Sequence, residues 1–206
     1  MARIKRTLAI GAALIALTVG CQNESSHESP PSNEAQNTPL IKLETIHVAD
    51  DPLNESRGLV KMLSEINYGQ TRLIAYANGD SCGIIVTPKS DSTEQRLHLV
   101  SKWPAKSGGG NSYPAGPYNS VSGAGGEKIW ASLMCSKNAM VIDYTSGQND
   151  GPDQIRGQVD VTQVSNSPST SRIIIGDPEV RKQIKNVAED RESRLQSGQD
   201  IGTKVT

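Results

Sequence analysis

The interior side chains best suited to chemistry in this 206-residue chain are two thiols, Cys82 and Cys135. Cys82 sits in Asn78-Gly79-Asp80-Ser81-Cys82-Gly83, with His98 sixteen residues further on. A thiolate nucleophile needs a base within hydrogen-bond reach and a third group to orient that base, and no orienting residue is apparent. The three histidines, His27, His47 and His98, are too widely spaced for a zinc signature. Asp143, Asp150, Asp153 and Asp160 gather around Gln148-Asn149-Asp150-Gly151-Pro152-Asp153. Calcium takes about six to eight oxygens, and Asp-rich turns supply them. This spacing does not match a helix-flanked calcium loop, and Asn-Asp-Gly-Pro is turn chemistry first. Ser107-Gly108-Gly109-Gly110-Asn111 lacks the Lys-Ser/Thr ending that puts a cation on phosphates, and Gly123-Ala124-Gly125-Gly126 lacks the third glycine of a dinucleotide fingerprint. No carboxylate pair can be placed. The residues therefore imply no metal, no cofactor and no catalytic set. The alternative carried forward is a cell-wall or peptide hydrolase.

The third thiol belongs to a different chemistry. Residues 1–20 hold three bases, Arg3, Lys5 and Arg6, and no acid; an apolar run over residues 7–19 then ends at Gly20-Cys21. That is the charged start, short hydrophobic middle and small-residue end of an export signal. A spanning helix needs about 20 apolar residues, more than this run supplies. Thr18-Val19-Gly20-Cys21 resembles the lipobox of bacterial lipoproteins, with Thr18 where Leu is usual. The resemblance covers the first 21 residues only. It implies cleavage before Cys21, lipidation of that cysteine by diacylglyceryl and palmitate-type chains, and stable attachment to a bilayer, since two or three acyl chains anchor where one does not. Gln22, in place of the Asp that retains such proteins at the inner membrane, points to the outer membrane, facing the periplasm, or to the cell membrane if the host has no outer one. In that oxidising compartment Cys82 and Cys135 are expected to pair.

Composition bounds the rest. With 21 Lys+Arg against 22 Asp+Glu the chain lacks the basic excess of a nucleic-acid binder. Aromatics are 3% and Phe is absent, so the core must come from Ile, Leu, Val, Met and Ala. Residues 21–40 are rich in Ser, Asn, Glu and Pro and cannot bury enough apolar area to fold. They form a tether reaching about 24 Å root-mean-square. Residues 41–197 form one domain, and residues 198–206 a polar tail.

Within the domain, residues 41–48 read as a strand. Leu59, Met62, Leu63 and Ile66 have the spacing of a helix with one apolar stripe, capped near Asn54. Residues 72–78 and 82–87 form a hairpin through Asn78-Gly79, residues 96–103 a third strand, and residues 129–135 and 139–144 a second hairpin. Ile155, Val159 and Val161 share one parity, and a strand follows at 172–175. Asp177-Pro178-Glu179 opens a C-terminal helix with inner stripe Val180, Ile184, Val187, Arg191 and Leu195. The fold class is α+β: a mostly antiparallel sheet built from hairpins, flanked by an N-terminal and a C-terminal helix, with one disulfide.

Between Pro104 and Glu127 lie seven glycines. This long segment, with Trp103, Tyr113 and Tyr118 among Gly, Ser, Asn and Pro, has the chemistry of a protein-binding loop; the bland reading packs the tyrosines back on the sheet. The expected function is a membrane-anchored periplasmic binding protein contacting a protein partner through Trp103, Tyr113 and Tyr118. It would be either an inhibitor or immunity protein against a secreted toxin or hydrolase, or an accessory subunit of an envelope machine.

Overall fold

The computed structural model describes residues 37–53, 59–91, 93–104, 113–126, 128–147 and 151–197. The export signal, Cys21 and the tether through residue 36 lie outside the described residues. So do Asn54, residues 105–112, Asp150 and the tail from residue 198.

Among the described residues, ten strands make two five-stranded sheets. Sheet A contains β1 (Val60–Tyr68), β2 (Thr71–Asn78), β3 (Ser81–Pro88), β4 (Leu97–Lys102) and β8 (Gln154–Gly157), in the order β4-β3-β2-β1-β8. Sheet B contains β5 (Asn119–Ala124), β6 (Trp130–Cys135), β7 (Ala139–Thr145), β9 (Val159–Val164) and β10 (Ser167–Gly176), in the order β5-β6-β7-β10-β9. Every pairing is antiparallel. Both predicted hairpins are present, β2–β3 through Asn78-Gly79 and β6–β7 through Ser136-Lys137-Asn138. Helix α1 (Pro178–Gln196) starts where expected: the Asp177 carboxylate accepts from the Val180 amide at 2.9 Å, and Pro178 fills the first turn.

Among the described residues there is no N-terminal helix. Residues 60–66 lie in strand β1 with Leu59 in the turn before it, and a bulge explains the misleading spacing. The register with β2 shifts between Met62 and Ser64, so Met62 joins the apolar cluster outside sheet A while Leu63, Ile66 and Tyr68 join the core between the sheets. An extra residue in one strand breaks period-two alternation and here imitates a helical stripe. Residues 41–48 also depart from expectation. They begin as a 3₁₀ turn (Leu40–Lys42) and continue as an extended strap across the outer face of sheet A rather than as a strand of either sheet.

Residues of β1–β3 and of β6, β7 and β10 close the central core. Its largest ring contact is Tyr68 against Tyr144, centroids 5.0 Å apart. β2 is buried along nearly its whole length, as expected of a strand covered on both faces. The outer face of sheet B receives Val180, Ile184 and Ala188 of α1 against Ala139, Val141 and Ile174. Where β5 runs beside β4, glycine is required: a Cβ on Gly125 would lie 2.6 Å from the Arg96 carbonyl oxygen.

The disulfide Cys82–Cys135 joins β3 to β6, hence sheet to sheet, with Cα atoms 5.9 Å apart and both residues fully buried. It closes a loop of 53 residues. In the chain-entropy view such a loop stabilises by roughly 4 kcal/mol. Denaturant titration of the Cys82→Ala/Cys135→Ala double variant should show a loss of about that size, and mass spectrometry of the non-reduced protein should find the two peptides linked.

Candidate functional site

The aromatics expected to contact a partner are placed by packing. Trp103 directly follows β4; its amide donates to the Asp80 carbonyl at 2.7 Å, and its ring lies partly buried against the central core. Tyr113 is 8% exposed and belongs to the cluster between α1 and sheet B, with the Arg191 guanidinium 4.9 Å above its ring. Tyr118 packs against the same cluster and donates its hydroxyl to the Pro114 carbonyl at 2.5 Å; burial pushes that hydroxyl well above its ordinary pKa. The end of this segment is a strand, β5, whose sequence NSVSGA has too few apolar residues for periodicity to reveal it. The geometry gives both tyrosines packing roles.

The aromatic that faces solvent is Trp130, 41% exposed at the start of β6. Its orientation follows from the disulfide. Cys135, Leu133 and Ala131 share one parity and are fully buried in the central core. Trp130 and Ser132 therefore stand on the opposite face. Trp130 pairs with Ala124 of β5 on one side and Thr145 of β7 on the other, and Ser132 pairs with Ser122. Thr145 and Thr170 share a hydroxyl–hydroxyl bond of 2.8 Å that extends to Ser167 at 2.7 Å. The outward side chains of β5 and β6 thus form an uncharged surface of small residues with one indole, bordered by Met134, which packs against the α1 cluster. Beside it, Glu94, Arg96, Gly125, Gly126 and Ile129 line an open cleft of about 390 Å³. The sequence held the signal that orients Trp130: a paired cysteine five residues on must point inward.

The other titratable groups are mostly engaged within the fold. Asp143 receives two nitrogens of Arg172, at 2.8 and 3.2 Å. Asp153 accepts from the Gly69 amide and lies 3.3 Å from Lys89 Nζ, and Asp160 lies 3.4 Å from Arg181. Each is thus matched to a different cation. Among the described residues no group of three or more His, Cys, Asp or Glu is placed to hold a metal ion. Cys82 does not meet His98: its sulfur is buried in the disulfide, whereas His98 Nε2 is 2.7 Å from the Tyr76 hydroxyl. Burial pushes Tyr76 up to about 12 and holds His98 below its ordinary value of 6.5. No described helix is long and apolar enough to cross a membrane.

No protein-family model matches this chain, and no curated protein or solved structure matches it either.

Two outcomes follow from these environments. Tyr113→Ala should cost about 3 kcal/mol in denaturant titration through lost burial and the cavity left, whereas Trp130→Ala should cost less than about 1 kcal/mol. Because folding depresses the pKa of His98, the unfolded chain binds more protons near and below pH 6.5. Stability should accordingly fall as the pH drops through that range, and His98→Gln should flatten that part of the profile.

Proposed function

We propose that this protein is a lipid-anchored binding module of the bacterial envelope, held by acylated Cys21 at the outer membrane and presenting its sandwich to a protein partner in the periplasm. The basic start, the short apolar run and the lipobox-like Thr18-Val19-Gly20-Cys21 support the anchor. The two inhibitor and accessory versions share this architecture.

One observation carries the recognition reading: Trp130 lies at the end of the sandwich opposite the point where residues 38–40 join it. The chain enters the domain where the Thr38 amide donates to Asp177 Oδ2 at 2.8 Å and the Leu40 amide to the Lys137 carbonyl at 2.9 Å. That is the end of the β6–β7 turn and of the start of α1. Trp130 begins β6 at the other end, roughly 17 Å away along the strand. A module tethered at one end leaves the other free to meet a partner, and an exposed Trp among small uncharged side chains is the kind of anchor that dominates interface energetics.

Cys21→Ser should move the protein from the membrane to the soluble fraction and abolish palmitate labelling. In pull-downs from envelope extracts, Trp130→Ala should weaken capture of the partner by about 2 kcal/mol or more while the domain stays folded. Undiminished capture by that variant would remove the indole from the interface.

A further inference from the structure

The strap over sheet A is held in an unusual way. Met62, Ile74, Tyr76 and Ile85 form an apolar floor, and Ile46, Val48 and Leu53 lie on it. Of these three only Val48 is fully covered. The Ile46 amide donates to the Met62 carbonyl at 3.0 Å and Gln95 Nε2, outside the strands, to the Pro52 carbonyl at 3.5 Å; among the described residues the strap's other ties to the sheet come through two arginines. Arg72 Nη1 donates to the Ala49 carbonyl at 3.0 Å and Arg156 Nη2 to the His47 carbonyl at 2.9 Å. Both guanidiniums are braced by one carboxylate, Glu65, at 3.6 Å from Arg72 and 2.7 Å from Arg156. Glu65 is 7% exposed and Arg72 8%. The strap also turns at Asp50, in the left-handed region at φ 53, a conformation that needs support from its surroundings.

The strap is pinned on both sides. Leu40 and Leu43 are buried in the central core before it, and β1 enters sheet A after it. It can therefore lift without unthreading the domain, and with few buried apolar contacts it belongs to the low-stability part of the structure.

We propose that the outer face of sheet A is a groove for an extended peptide, which this chain fills with its own residues 46–53 as an autoinhibitory contact clasped by Glu65. The occupant itself displays the chemistry that the groove takes: alternate apolar side chains, here Ile46 and Val48, on the floor, and backbone carbonyls on the two guanidiniums. The competing ligand is an extended segment of a partner protein with that pattern. This inference does not depend on the role of Trp130.

The test uses the full-length protein and a fluorescent peptide of residues 44–53. Val48→Asp removes the strap's buried anchor and leaves the floor intact. It should speed amide exchange over residues 46–53 at least tenfold with β6 and β7 unchanged, and should let the variant bind the peptide at least tenfold more tightly than wild type. Adding Glu65→Gln should abolish that binding. Arg156→Gln, at a side chain 41% exposed, is the second variant and should speed strap exchange without disturbing the core, whether or not Val48→Asp folds. The proposal is overturned if Arg156→Gln leaves strap exchange unchanged, if a released strap leaves the peptide unbound, or if the peptide binds wild type and Val48→Asp equally.

Discussion

The covalent joint between β3 and β6 is the constraint on which the rest of this sandwich depends. A core with no Phe must be assembled from short aliphatic side chains, each of which removes less area from water than a large ring would. Tyr68 and Tyr144 meet near its middle, but what fixes one sheet on the other is the buried pair Cys82 and Cys135. The bond also sets parity. With Cys135 inward, alternate residues of β6 are committed to core or surface, and the indole of Trp130 is committed to the surface. A linkage inside the molecule thus determines what its outer face offers.

The two outer faces are covered by different physics. On sheet B, α1 buries Val180, Ile184 and Ala188, and the Arg172 pairs with Asp143 and Glu192 fix the helix to the strands beneath. Apolar burial there is extensive, and ionic contacts supplement it. On sheet A the strap contributes one fully buried side chain and relies on guanidinium–carbonyl bonds that converge on Glu65. Loss of one carboxylate leaves two charges without their common partner, one of them buried, and a buried charge without its counter-ion is costly. The first cover is part of the fold, whereas the second is attached to it.

Much of this was legible in the sequence, for identifiable reasons. The hairpin at Asn78-Gly79 was readable because the turn chemistry is local. The C-terminal helix was readable because Asp177 and Pro178 announce it, and the disulfide because the export-signal reading leads one to expect Cys82 and Cys135 to pair. β1 was misread because its bulge puts Met62 and Ile66 on opposite faces, and period-two alternation cannot survive an extra residue. Residues 41–48 alternate imperfectly because they lie over a sheet instead of pairing along its edge. β5 was hidden by composition, since Ser, Gly and Asn carry no periodic signal. Tyr113 and Tyr118 sit in a stretch whose composition suits recognition, yet their burial under α1 depends on a helix that begins more than fifty residues later in the chain. Trp130 was within reach of sequence reasoning but needed the cysteine parity to orient it.

The dependence of both sheets on one bond can be measured directly by amide hydrogen exchange of the domain before and after reduction. Oxidised, the slowest amides should lie in β2 and β3 of one sheet and in β6 and β7 of the other. On reduction, protection in the two sheets should fall together and by the same factor, because each sheet loses the partner that covers its inner face. Loss of protection confined to β3 and β6, with β2, β7 and β10 unchanged, would contradict the account and leave the disulfide as a local brace.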